Sequence, residues 1–140
     1  MTLADVILFD TNENINFASK EFRIKKQKFR RIFVGADTDI FYPIKKESGQ
    51  KNFKVFFYGS FLPLHGIDYI VKAAKLLEKE KDVVFEIVGW GPEKEKMLKL
   101  FDELKPGNLS FTGGLDKKLI RRKIAEADLC LGIFGITDKA

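Results

Sequence analysis

The feature that most constrains the fold is a regular alternation of short apolar runs and amphipathic helical segments between residues 53 and 134. The apolar runs are rich in β-branched and aromatic residues and end at or near glycine, which is typical of buried parallel strands. The predicted strands are residues 54–58, 83–88, 109–111 and 129–134. The short spacing predicts repeated strand–helix units, and therefore an α/β fold with a parallel sheet, helices on both faces and right-handed connections.

Three helices are predicted between these strands. Apolar residues recur at helical spacing from Ile67 to Leu77, the second helix runs from Glu93 to Leu104 after Pro92, and Asp116 is placed to cap the third. A Rossmann-like sheet of this kind usually has about six strands. If the strand order is 3-2-1-4, the fourth strand is an apolar edge that needs a cover. We therefore expect the sequence to be a fragment.

The first part of the chain has a different pattern. A strand is predicted at Val6–Phe9, a basic helical segment at Phe17–Lys28 and a second apolar run at Ile32–Val34. The polar stretch from Tyr42 to Lys51 is predicted to be a linker at a domain boundary.

Charge and composition exclude several classes of protein. The net charge of +5 is concentrated in Lys20–Arg31, which holds seven cations and one glutamate. This segment is either a solvated connector or a patch for an anionic partner such as a membrane surface. Nucleic-acid binding is not expected, because few aromatic residues are interleaved with the cations. One cysteine, Cys130, and one histidine, His65, are too few for a disulfide or a zinc site.

We predict that Cys130 is buried within its apolar run, and that Phe56, Phe57 and Tyr58 belong to the core. The sequence contains neither an apolar stretch of the ~20 residues that cross a bilayer nor a cleavable leader. We therefore expect a cytoplasmic protein, with peripheral contact at the inner membrane face left open.

Three glycine-rich loops follow the predicted strands. They are Tyr58–Gly66, Gly89–Glu93 and Thr112–Leu115. Ligands of parallel α/β sheets bind at the carboxyl ends of the strands, and glycine lets the backbone approach phosphate closely. None of the loops matches a dinucleotide fingerprint or a P-loop, so each one alone is equally a tight strand-to-helix turn.

The order of the motifs is more specific than any one of them. Gly35–Pro43 resembles the hinge segment of family-four glycosyltransferases (glycosyl transferases group 1, GT-B fold), which typically reads Gly-Val-Asp, two variable residues, Phe, one more, Pro. The motifs that follow in the order of that family are Phe57–Ser60, His65–Gly66, Ile87–Glu93, Leu109–Gly113 and Ala127–Leu131. The resemblance covers nearly the whole chain.

The resemblance implies a retaining glycosyltransferase that moves a sugar from a nucleotide-sugar donor to a saccharide, lipid or protein acceptor, without a metal or other cofactor. Residues 1–34 would end the acceptor-side domain, 35–52 would form the hinge and linker, and 53–140 would bind the donor. The implied donor-binding residues are Gly59, Ser60, His65 and Gly66 near the diphosphate, Gly89, Trp90, Gly91 and Pro92 along the cleft floor, and Thr112, Gly113, Gly114 and Leu115 near the base. The family's catalytic glutamate pair is expected beyond Ala140, so we expect the fragment alone to be inactive.

Two positions depart from the family pattern. Ser60 and His65 stand where the family commonly has Arg or Lys, which puts the binding of the diphosphate in doubt. Trp90 either stacks on a base or sugar or packs its own loop. Two alternatives remain open: a nucleotide-sugar epimerase of the same architecture, and a non-catalytic nucleotide-binding module.

Overall fold

The computed structural model describes residues 4–46, 49 and 51–136. The chain forms two compact units, residues 1–38 and 39–140, which we describe separately. Three residues of the predicted linker (Glu47, Ser48 and Gln50) and the C-terminal residues 137–140 lie outside the described part.

The first unit is a small strand–helix–strand motif. Strand β1 (Ile7–Phe9) pairs in parallel with β2 (Phe29–Arg31), and helix α1 (Asn12–Glu21) connects them with a short 3-10 turn. Its buried apolar residues are Ala18 and Phe29. The ring centres of Phe29 and Phe9 lie 5.8 Å apart. These few apolar side chains form a small core.

The element boundaries in this unit differ from the sequence-based prediction. The helix predicted over 17–28 starts at Asn12, because the Thr11 hydroxyl caps it by accepting from the Asn14 N–H at 3.1 Å. It ends at Glu21, two residues before Arg23, whose φ of 51° is incompatible with a right-handed helix. The second strand is residues 29–31 instead of 32–34, since Phe29 is buried against Phe9 whereas residues 32–34 are exposed.

The second unit contains a four-stranded parallel sheet. Its strands are β3 (Phe53–Ser60), β4 (Val83–Trp90), β5 (Leu109–Thr112) and β6 (Leu129–Cys130), in the spatial order β5-β4-β3-β6. The predicted parallel sheet is thus confirmed. Its strand order is the 3-2-1-4 arrangement that the sequence left as a condition, with β6 at an edge.

Helices cover both faces of this sheet, as predicted. They are α2 (Ile67–Leu76), α3 (Lys94–Leu104) and α4 (Lys117–Glu126). The predicted Asp116 cap is confirmed, because its carboxylate accepts from the N–H groups of Lys118 and Leu119 at 2.8 and 3.0 Å.

Alternate residues of the central strands point to opposite faces, which gives the unit two apolar clusters. The larger one joins the sheet to α2 and α3 through Val55, Phe57, Phe61, Ile67, Ile70, Val71, Ala74, Phe85, Ile87, Met97 and Leu109. The smaller one joins it to α4 through Phe56, Val88 and Ile120. Both clusters fix the strands that carry the candidate site.

Three predictions about the core and the last strand are wrong. Tyr58 lies at the end of β3 and is 47% exposed. Cys130 is exposed because its strand is at the edge of the sheet, although partial burial still raises the pKa of its thiol. The strand predicted over 129–134 stops at Cys130, and Gly132 follows; the N–H groups of Phe134 and Gly135 bond instead to the carbonyls of His65 and Leu64.

Candidate functional site

The carboxyl ends of β3, β4 and β5 lie side by side. Ser60 is in register with Trp90, and Val88 is in register with Thr112. Three loops therefore leave the sheet at one edge, where ligands of parallel α/β sheets bind. The structure thus brings together the strand ends that carry the sequence-predicted residues Gly59, Ser60, Gly89, Trp90 and Thr112.

Close backbone approach at this edge requires glycine. Gly89 has a φ of 149°, and a Cβ added there would collide with the carbonyl oxygen of Gly59 on the neighbouring strand. Gly91 has a φ of 156°, and its added Cβ would lie 2.5 Å from the backbone nitrogen of Phe61. The two glycines allow the loop after β4 to press against the loop after β3.

Phe61 holds these two loops together, and the sequence analysis did not single it out. Its side chain is fully buried. Its N–H donates to the Trp90 carbonyl at 2.9 Å, and its carbonyl accepts from the Glu93 N–H at 3.0 Å. Its ring also lies 5.5 Å from the ring of Phe111 on β5. One residue therefore contacts all three strand ends; an apolar residue directly after Gly59-Ser60 was the available signal.

His65 lies on a 3-10 turn between β3 and α2, and both sides of its ring have partners. Its Nδ1 donates to the carbonyl oxygen of Ser60, and the ring meets Phe57 edge-on at 5.7 Å. A carbonyl oxygen only accepts, so Nδ1 carries a proton. Nε2 can then donate to an anion only when the ring is protonated.

Gly66 forms the start of α2 in a left-handed conformation, with a φ of 60°. An added Cβ would lie 2.7 Å from the nitrogen of Gly135, because the segment after β6 crosses this turn. The turn that contains His65 is therefore held from two sides, by β3 and by residues 134–135. This second contact was not predicted from the sequence. The available signal was the pair of glycines at 132 and 135, which indicates that the strand is interrupted there.

Trp90 is the most exposed aromatic side chain at this edge, at 72%. A Cβ added to Gly114 would lie 3.2 Å from the indole Cδ1, so the indole lies beside the glycine of the neighbouring loop. Because the indole is mostly exposed, packing of its own loop does not explain its position. A large exposed aromatic side chain at a ligand-binding edge instead favours contact with a ligand.

The remaining candidate residues divide into two groups. Gly113 faces open space, whereas Leu115 packs partly against the cluster under α4 and belongs to the framework of its loop. Pro92 and Gly66 line a groove of about 770 Å³ between α2 and α3. This groove shares only those two residues with the twelve predicted ones, so most of the candidate residues at the strand ends lie outside it.

Among the described residues, no group of three or more His, Cys, Asp or Glu side chains is arranged to hold a metal ion. No helix within the same residues is long and apolar enough to cross a membrane.

The model of the family described as glycosyl transferases group 1 matches residues 39–131. The chain therefore belongs to the glycosyl transferases group 1 family. The match includes all three strand-end loops and the segment before the sheet. No curated protein sequence matches the chain.

Solved glycosyltransferases of the GT-B class share the fold. WaaG, a glycosyltransferase involved in lipopolysaccharide biosynthesis, has a TM-score of 0.73 at 19% identity, over 89% of this chain and 37% of its own. Anabaena HepE in complex with UDP-glucose has a TM-score of 0.70 at 16% identity, over 91% and 37%. A mutant of S. aureus TarM with bound UDP has a TM-score of 0.71 at 17% identity, over 90% and 24%. The chain thus spans between about a quarter and somewhat over a third of these proteins.

Proposed function

We propose that this chain provides the donor-binding part of a retaining glycosyltransferase that uses a nucleotide-sugar. The observation that carries the proposal is the alignment of three glycine-rich strand ends around an exposed tryptophan in a glycosyl transferases group 1 domain. Structures with the same fold contain UDP or UDP-glucose, which supports a nucleoside diphosphate as the shared element of the ligand.

On the base side, Trp90 would offer a flat apolar surface, and Gly113 and Gly114 would leave room for a planar ring beside it. Stacking of a base on an aromatic side chain contributes about 1–3 kcal/mol and tolerates different bases. The backbone groups of Thr112 and of the glycines that follow it would supply the hydrogen bonds that distinguish one base from another. Glycine has no side chain to cover these groups.

On the diphosphate side, Ser60 and His65 would take the positions nearest to the phosphates. Ser60 offers one hydroxyl donor, and His65 offers Nε2 when protonated. The N–H groups at the start of α2, which follow Gly66, add the positive end of a helix dipole. We propose that the donor is held in this arrangement without a metal or another cofactor.

The twelve candidate residues include no carboxylate. We therefore propose that residues 1–140 bind the donor without transferring the sugar. The catalytic groups would belong to other parts of the enzyme, and the saccharide or lipid-linked acceptor would bind there. WaaG, one of the proteins with the same fold, is involved in lipopolysaccharide biosynthesis, which supports an acceptor of this kind.

A calorimetric titration with UDP, GDP, ADP and their sugar conjugates tests the donor site. We expect one nucleotide to bind at micromolar to millimolar concentration, and His65→Ala to weaken its binding by about fivefold to tenfold through loss of one charge-assisted hydrogen bond.

Lys72→Ala is the matched control. Lys72 is a cation on α2, the helix that follows His65, but it lines the groove between α2 and α3. Its affinity should equal that of the wild type. If Lys72→Ala binds the nucleotide more weakly and His65→Ala binds it unchanged, the ligand binds in the groove, which contradicts the proposed site.

We further propose that the basic segment Lys20–Arg31 contacts an anionic membrane surface. Most of its residues are exposed, but Lys28 also donates to the Ala4 carbonyl and Arg30 to the carbonyls of Gln27 and Phe29. Lys25 and Lys26 are the exposed cations in the middle of the segment. Each cation near an anionic surface contributes about 1 kcal/mol at modest salt.

The chain is expected to sediment with vesicles that contain phosphatidylserine and to detach from them at high salt. With vesicles of phosphatidylcholine alone, the chain should remain in the supernatant. Charge reversal by Lys25→Glu with Lys26→Glu should reduce the bound fraction several-fold. The same reversal at Lys117 and Lys118 in the second unit is the control. Equal losses from both pairs would indicate a general charge effect and refute a membrane-binding segment.

A further inference from the structure

A strap of residues 40–46 lies at the start of the second unit, ahead of its first strand. Phe41 packs partly against the cluster of Phe56, Val88 and Ile120 under α4. The chain therefore reaches the sheet well before β3 begins at Phe53.

Arg121 on α4 holds the middle of the strap. Its guanidinium carbon lies 4.1 Å from the centre of the Tyr42 ring, and its Nη1 donates to the Ile40 carbonyl at 3.2 Å. Arginine suits this double contact, because its planar group can stack on a ring and donate at its edge at the same time.

Asp128 holds the end of the strap. One of its carboxylate oxygens pairs with Lys46 Nζ, and the other accepts from the backbone N–H of Lys54 on β3 at 2.8 Å. The hydrogen bond from Lys46 is the main cause of the lowered pKa of Asp128. The carboxylate thus ties the strap to the strand that carries Gly59 and Ser60.

The residues just before the strap have fewer attachments. The Phe33 ring lies 4.5 Å from the guanidinium carbon of Arg31 in the first unit. Residues 34–38 are exposed, and within the described part of the chain they make no backbone hydrogen bond. A Cβ added to Gly35 would meet nothing within 4 Å.

We infer that Arg121 acts as a latch that holds the strap on the sheet, so that the unattached part of the connecting segment is limited to residues 34–38. Without the latch, the unattached part would extend from residue 34 into the strap. This inference does not depend on the identity of the ligand at the strand ends.

Limited digestion with chymotrypsin of the full 140-residue chain tests the latch. Cleavage after Phe33 reports the free segment and cleavage after Phe41 reports the strap, while the bond before Pro43 resists the enzyme. In the wild type, cleavage after Phe33 should be the faster of the two. Arg121→Ala should speed cleavage after Phe41 by about tenfold and leave cleavage after Phe33 unchanged.

Arg122→Ala is the matched control, since Arg122 lies next to Arg121 on α4 and pairs with Glu126. It should leave cleavage after Phe41 unchanged. Cleavage after the buried Phe56 monitors unfolding of the sheet. If Arg121→Ala also speeds that cleavage, Lys46→Ala decides, because Lys46 is only partly buried and lies outside the apolar clusters. It should speed cleavage after Phe41 roughly threefold.

Two results would overturn the inference. One is cleavage after Phe41 as fast as after Phe33 in the wild type. The other is a rate after Phe41 that neither Arg121→Ala nor Lys46→Ala changes.

Discussion

Gly89→Ala is expected to destabilise the protein by about 3 kcal/mol and to lower its Tm by roughly 10 °C. The added Cβ would meet the carbonyl oxygen of Gly59, and the φ of 149° is one that alanine rarely adopts. Both β3 and β4 lie in the centre of the sheet, so the collision cannot be relieved by moving an edge. Thermal unfolding followed by circular dichroism measures the effect.

Gly107→Ala is the control for this substitution. Its added Cβ would meet nothing within 4 Å, so we expect a change within about 0.5 kcal/mol. A Gly89→Ala protein as stable as the control would show that the strand ends are not as close as the structure places them.

Phe61→Ala is expected to cost about 4 kcal/mol, near the upper part of the range for removing a buried phenylalanine. The side chain is fully buried and packs near Phe111, and its backbone joins the loops after β3 and β4. The substitution would therefore lower both stability and the affinity for a nucleotide. Chemical denaturation and calorimetry on the same sample measure the two effects.

Phe53→Ala is the matched control, because Phe53 starts β3 and is 48% exposed. It should cost about 1 kcal/mol and leave nucleotide binding unchanged. Phe61→Leu keeps most of the buried volume and should retain both properties to within about 1.5 kcal/mol. A loss of stability no greater in Phe61→Ala than in Phe53→Ala would contradict the role assigned to Phe61.

The sheet could be predicted from the sequence because its signals are local. Buried parallel strands such as 83–90 are mostly apolar runs, here interrupted by Glu86 alone before Gly89, and glycine or proline marks their ends. The Asp116 cap was equally readable, since one side chain and the N–H groups two and three residues further on determine it. The length of the last strand was not, because its end depends on bonds to His65 and Leu64, which are distant in sequence.

The exposure of single residues in apolar runs was harder to predict. Cys130 is exposed because its strand is at the edge, and that depends on a strand order that the sequence left open. Tyr58 is on a central strand, and its exposure depends on how far the strand extends beyond the core. The candidate site was predicted from the order of its motifs, which fixes the loops. The contacts that hold those loops, through Phe61 and Gly135, arise only when the chain is folded.

The single tryptophan of the chain is a built-in reporter of the proposed site. Trp90 is exposed at the end of β4, so a base stacked on it would quench or shift its fluorescence. No label and no second tryptophan complicates the signal.

The measurement that tests the central claim most directly is a titration of the wild-type chain with UDP, GDP and ADP, followed by tryptophan fluorescence. The account predicts a saturable change with one of the nucleotides, and weaker binding of the same nucleotide to His65→Ala. An unchanged emission with all three, on a chain shown to be folded by its thermal transition, would contradict a donor site at these strand ends.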